Sequence, residues 1–345
     1  MRTKDELLAE INAGLPDLDW RKGAQDYVAG FFEKYSQAQV EAFVFTKPLA
    51  PVTPEDPAGS VLEASLYLAN FANAIQLLQL PRSAKVLDVA CGGGWFAHWL
   101  RKLGYDARGM DISADFVALA RRRLLEDPQL AIAPVEAEAA FAVHDFEVAR
   151  LPEAARGIFD AIVLESCLHH FHDPVAAMAH IAEGLAPGGV VLILEGENRQ
   201  GPIRDEYMQV MLDTATLERP YPRAILREVL QHAGLPHVEF LGSVPGYFAE
   251  SAPLSRNLTQ YLADSTAATN ICVCGRDAAA LQRVVPSYGA VVAAPPVTPV
   301  EVAVAAIITP AALPPGIADR VKRRAPTWTW PIFRAVWKLS RGLHG

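Results

Sequence analysis

Val86-Leu87-Asp88-Val89-Ala90-Cys91-Gly92-Gly93-Gly94-Trp95-Phe96-Ala97 decides how this chain folds. An apolar strand ends near an acid, runs through three glycines and enters an apolar helix. Glycine has no Cβ, so such a turn can adopt positive φ and let a ligand press against bare backbone. A strand–glycine–helix turn at the carboxyl edge of a parallel sheet is where doubly wound folds hold nucleotide-like ligands. Asp111 ends the next short strand pattern, Tyr105 to Ser113, close to 20 residues beyond the glycines. At that spacing a carboxylate accepts from ribose hydroxyls. The loop is a poor dinucleotide fingerprint, because Ala97 stands where GxGxxG, started at Gly92, needs its third glycine. No Gly-Lys-Ser/Thr follows, which removes a triphosphate-binding P-loop.

Strand and helix patterns alternate from residue 81 to residue 277, which predicts an α/β fold: a doubly wound, mostly parallel sheet covered on both faces. Residues 1–80 read as a helical cap. Thr3 with Glu6, and Ser60 with Glu63, make two capping boxes, the second opening a helix from Val61 to about Leu80. Leu62, Leu66, Phe71, Ile75 and Leu78 recur along it at helical spacing. Asp173-Pro174 marks another helix start. Residues 278–345 form an extension dense in Pro and Ala. From Arg320 onward it carries seven Lys or Arg and no acid, with Trp328, Trp330, Phe333 and Trp337 among them.

These motifs, in this order, resemble the class I S-adenosylmethionine-dependent methyltransferases over about residues 81–277. The family's loop reads Asp-x-Gly-x-Gly-x-Gly, and Ala90 replaces its first glycine here. The resemblance implies a seven-stranded Rossmann-like sheet with an antiparallel last strand, and S-adenosylmethionine as cofactor. It implies that Asp88, Ala90, Cys91, Gly92 and Gly94 face the methionine end. Asp111 and Ile112 would meet the ribose, and Asp145 with Phe146 the adenine. The segment Phe159 to Phe171 matches the fourth strand and its loop, and Leu185 to Ile193 the fifth strand. Leu226 to Phe240 matches the passage to the sixth strand, and Thr269 to Cys274 the seventh. Family members often use the helices before the sheet, and an insertion such as 196–222, to build the acceptor pocket. The long helix of the cap either closes over the cofactor or only packs on the sheet.

Methyl transfer needs alignment, and a base only where the acceptor must lose a proton. Glu165, His169 and His170 follow the fourth strand beside the expected methyl position, as catalytic candidates, with Glu165 also counted among the cofactor-binding residues. A histidine can take a proton near neutral pH, and His169 is slightly preferred as base; the alternative is that the pair only lines the pocket. Adjacent loop residues rarely converge on one ion, so no metal is expected. Glu195 and Glu197 end the fifth strand, either orienting an acceptor or sitting in a solvated turn.

The 345 residues carry a formal net charge of −8, which disfavours nucleic acid as partner. Four cysteines form no disulfide framework and fit reduced, cytoplasmic thiols. The charged N-terminus carries no signal-type apolar run. The expected acceptor is a small molecule, or a glycan-like or lipid-linked intermediate. The basic aromatic stretch 320–345 suggests peripheral membrane or protein contact, or packing on the body of the domain. Two other functions fit some of the pattern: a non-catalytic cofactor-binding module, and a nicotinamide-dependent oxidoreductase.

Overall fold

Short runs of Val, Ile and Leu bounded by turn residues set the sheet. In a computed structural model, which describes residues 2–34, 36–49, 57–242 and 260–284 without 261, 262 and 266, seven of these runs pair. They are β1 (Lys85–Val89), β2 (Asp106–Asp111), β3 (Phe141–Val143), β4 (Phe159–Glu165), β5 (Leu185–Glu197), β6 (His237–Phe240) and β7 (Thr269–Gly275). Their order is β3-β2-β1-β4-β5-β7-β6. All neighbours run parallel except β7, which is antiparallel to both β5 and β6. The expected fold is therefore present, antiparallel last strand included. Register brings the carboxyl ends of four strands to one edge: Val89 pairs with Met110 and with Leu164, and Asp111 with Val143.

Alternate strand residues face opposite sides, so β4 serves two cores. Ile162 and Leu164 join Phe146, Phe159, Met178 and Leu226 on one face. Ala161 and Val163 join Phe96, Leu100, Val117 and Leu124 on the other. The first face holds α1 (Lys4–Ile11), α9 (Pro174–Ala182) and α11 (Arg223–His232). The second holds α5 (Pro57–Leu78), α6 (Trp95–Lys102), α7 (Ala114–Glu126), α8 (Pro134–Ala140) and α12 (Ala278–Val284). Burial at a site such as Ile162, fully buried, contributes about 1.5–3 kcal/mol. The first residues assigned to the extension thus form a helix against the sheet. Residues 285–345, with the basic aromatic stretch, lie outside the described residues.

The capping box of α1 forms as expected, with Thr3 Oγ1 accepting from the Glu6 amide. Asp173 likewise caps α9, accepting from the Ala176 amide at 2.8 Å. The second box does not open its helix. Helix α5 begins at Pro57, so Ser60 and Glu63 lie inside it. Proline at the first helical position presets φ and gives up only an amide that would be orphaned anyway. Helix α5 packs on the sheet and also contributes a side chain to the cleft. Phe71, Ala74 and Leu78 pack into the second core, with Phe71 5.1 Å from the Phe96 ring, while Tyr67 lines the cleft described below. Leu66 is exposed instead. Between α1 and α5, α2 (Trp20–Gln25), α3 (Tyr27–Lys34) and α4 (Gln37–Thr46) stand at the carboxyl edge of the sheet, with α3 and α4 against α7. The insertion after β5 contributes α10 (Asp205–Thr214). No helix among the described residues is long and apolar enough to cross a membrane.

Candidate active site

Beyond β1 the backbone turns through left-handed conformations at Ala90 (φ +47°), Gly92 (φ +50°) and Gly94 (φ +71°). Alanine thus occupies a position that favours glycine and carries the strain a Cβ brings there. Gly94 is required for packing: a Cβ on it would come within 2.7 Å of Ala120 Cβ and of Phe141 Cζ. Two acids brace the loop. Asp88 Oδ2 accepts from the Ala97 amide at 3.1 Å. Asp111 Oδ2 accepts from the Gly92 amide at 2.8 Å, and its Oδ1 from the Ser113 amide at 2.9 Å. Burial pushes the Asp111 carboxyl up to about 6 against these donors. Burial, with Glu165 and Asp111 nearby, pushes Asp88 well above the carboxylate range. Each carboxylate oxygen keeps a second acceptor direction for a ligand.

The loop forms one wall of a cleft. Asp88, Ala90, Cys91, Gly92, Asp111, Ile112, Asp145, Phe146, Glu165 and His170 all line it; Gly94 and His169 do not. Trp20, Arg21, Tyr27, Val44, Lys47 and Tyr67 close it from the N-terminal side. Arg21 Nε lies 2.6 Å from Asp145 Oδ2, so the acid at the end of β3 already holds a cation from α2. Beside it, His144 also lines the cleft, and its Nε2 is buried with no partner. Burial raises Glu165 despite the nearby Lys47. Burial also drives the Cys91 and Cys167 thiols well up, which leaves them inert.

The two adjacent histidines have opposite surroundings. Glu195, buried at the end of β5, accepts from the amides of Cys167 (3.0 Å) and Leu168 (2.6 Å). Its other oxygen lies 2.7 Å from His169 Nδ1, and Glu218 Oε2 lies 3.5 Å from His169 Nε2. Burial alone would lower His169, but the two carboxylates outweigh it and raise it to about 10. His169 is therefore a cation with both ring nitrogens facing carboxylates. Burial, then the His169 charge, lowers His170 to about 4. The His170 Nδ1 lies 2.5 Å from the Leu217 carbonyl, which can only accept. The proton of neutral His170 is therefore on Nδ1, and Nε2 keeps its lone pair.

Glu195 forms no solvated turn; it orders the loop after β4. His169, His170 and Glu218 offer ligand atoms within 4.8 Å of one another, a set able to hold a metal ion, although His169 already balances the carboxylates there. Sequence reading missed Glu218, Lys47, Tyr27 and Arg21. They come from the N-terminal helices and the insertion, where only the general role of those segments was readable.

A mostly parallel sheet of this order with a glycine loop and ribose-spaced acid defines an α/β fold of the nucleotide-ligand type. The chain belongs to the class I S-adenosylmethionine-dependent methyltransferase family, since residues 64–239, slightly more than half of it, match the family described as "Methyltransferase domain". It is 31% identical over 113 residues to the ubiquinone biosynthesis O-methyltransferase of Xanthomonas axonopodis pv. citri, covering 33% of this chain and 43% of that one. It is 32% identical over 108 residues to the protein of the same name from Alkalilimnicola ehrlichii, covering 31% and 40%. The chain thus spans less than half the length of these curated relatives. A solved structure of a geranyl diphosphate methyltransferase with GPP and sinefungin superposes with a TM-score of 0.50 at 12% identity, covering 75% of this chain and 100% of that one. That likeness is one of fold.

Proposed function

We propose that the protein methylates a hydroxyl of a small aromatic acceptor, with His170 as general base. One observation carries this: His170 commits its Nδ1 proton to the Leu217 carbonyl, which leaves Nε2 bare, and the residue lines the cleft that also holds the glycine loop. S-adenosylmethionine, when bound, supplies the electrophilic methyl group. Asp88, Ala90, Cys91 and the Gly92–Gly93 backbone would hold its methionine end, Asp111 and Ile112 its ribose. Asp145, Phe146 and the free Nε2 of His144 would meet its adenine. The site chemistry fits such a cation, because Asp88 and Glu165 are buried carboxyls pushed upward, and a positive ligand favours their ionised form. The pyrophosphate of a nicotinamide cofactor would instead face three acids.

At the acceptor end, His170 Nε2 takes the hydroxyl proton, which frees the acceptor oxygen to receive the methyl group that S-adenosylmethionine would supply, its carbon–sulfur bond breaking with the electron pair left on the neutral sulfur of S-adenosylhomocysteine. Glu218, 4.0 Å from His170 Nδ1, offsets the charge that forms. Trp20, Tyr27 and Phe171 add aromatic side chains to the walls of the cleft. The O-methyltransferase name of the relatives supports an oxygen acceptor. A membrane-associated acceptor rests only on residues 320–345, which lie outside the described residues.

The test is a panel of phenols and catechols incubated with cofactor, read by mass spectrometry for gain of one methyl group. The wild type should methylate at least one. His170→Gln should lose roughly 10²–10⁴-fold in kcat, with affinity for S-adenosylhomocysteine kept. A folded, cofactor-binding protein that methylates nothing would leave the non-catalytic reading standing. A His170→Gln variant as active as wild type would remove His170 as base.

A further inference from the structure

Arg123 on α7 is a buried cation with no ionic partner among the described residues. Its guanidinium is spent on three backbone carbonyls. Nε donates to Gly93 O at 3.0 Å, Nη1 to Lys47 O at 3.0 Å, and Nη2 to Val44 O. Gly93 belongs to the glycine loop, and Val44 and Lys47 end the N-terminal wall of the cleft. The last carbonyls of α4 lack helical partners, and a cation at a helix C-terminus is favoured by the helix dipole. The α4 terminus therefore takes the place of a carboxylate counter-ion. The same two segments also interlock without Arg123. A Cβ on Gly93 would fall 2.2 Å from Val44 Cγ1, so the Val44 side chain fills the space that glycine leaves. The neighbouring Arg122 pairs with Glu41 at 2.8 Å and lies 4.7 Å from the Phe45 ring centroid.

We propose that Arg123 is a positioning residue that ties the glycine loop to the Val44–Lys47 wall, so that filling the loop with cofactor fixes the wall against which the acceptor is held. The methyl-transfer chemistry needs no contact with Arg123. Its part is to make two separate chain segments move as one body. Losing it should therefore act on turnover more than on cofactor affinity, since a wall displaced by about 1 Å can cost on the order of 10²-fold in rate. The inference rests on the glycine loop being the cofactor site.

Hydrogen exchange at residues 40–47, with and without S-adenosylhomocysteine, tests it in wild type and in Arg123→Met. In the wild type the ligand should slow exchange there. In Arg123→Met, exchange without ligand should rise by roughly tenfold or more, and the ligand should no longer change it. The S-adenosylhomocysteine affinity should fall only a few-fold while kcat drops by about tenfold or more. Should Arg123→Met not fold, Arg123→Lys keeps the charge but cannot span three carbonyls, and should show the same loss of ligand response. Wild-type exchange at 40–47 in the folded variant, or an intact ligand response, overturns the proposal. A wild type that binds no S-adenosylhomocysteine sinks the cofactor reading, and the ligand-free comparison still decides whether the strut exists.

Discussion

Replacing His169 with glutamine removes the cation whose ring sits 4.0 Å from that of His170. Burial and that charge together hold His170 at about 4, so the loss of one of them raises it. The acid limb of the pH profile of kcat/KM should therefore move to higher pH in His169→Gln. An unmoved limb would mean that His170 is not the titrating base. Ala90 offers a second residue-scale test. At φ +47° it carries left-handed strain, and Ala90→Gly should stabilise the fold by ~0.5–1 kcal/mol after the entropy glycine loses. Thermal unfolding reads this directly, and a destabilised Ala90→Gly would contradict the strain. Asp88 and Asp111 were legible because a strand end and a fixed spacing place them. The choice of His170 over His169 was not, because it depends on Glu195 and Glu218, which lie 26 and 49 positions from His169 in the chain.

At the scale of elements, the loop after β4 depends on one carboxylate from β5. Glu195 holds two loop amides and the His169 cation. Glu195→Ala strips the two buried loop amides of their acceptor and His169 of its shorter carboxylate contact, leaving it only Glu218 at 3.5 Å, and should cost about 3–5 kcal/mol by denaturant unfolding. A loss under about 1 kcal/mol would show that the loop is ordered by other contacts. The same cluster sets a pH dependence. His169 is raised from 6.5 to about 10, so its contribution is full below 6.5 and is lost as pH rises through 10. Melting temperature should fall across that window in the wild type, and His169→Gln should lack this part of the fall. The strands were readable from the sequence, since apolar runs of strand length alternate with helical periods. The start of α5 was misplaced, because Pro57 opens a helix three residues ahead of a capping box that reads equally well. A local pattern marks where a helix can begin, and the competing start with a preset φ prevails.

Across the whole molecule, the sheet supplies the acids and the glycine loop, and the N-terminal helices supply the opposite wall. The first half was legible because strand order and motif order repeat one plan. Lys47, Tyr27, Arg21 and Arg123 gave no signal, since their meaning depends on how α3 and α4 dock on α7 and on where α2 meets Asp145, tertiary facts with no local period. The cofactor site is the claim on which the rest depends. Calorimetric titration of S-adenosylmethionine, S-adenosylhomocysteine and NADH into the wild type and into Asp111→Ala tests it most directly. Both sulfur ligands should bind the wild type, NADH should not, and Asp111→Ala should bind them far more weakly or not at all. Binding of NADH, or a folded wild type that takes up neither sulfur ligand, would contradict it.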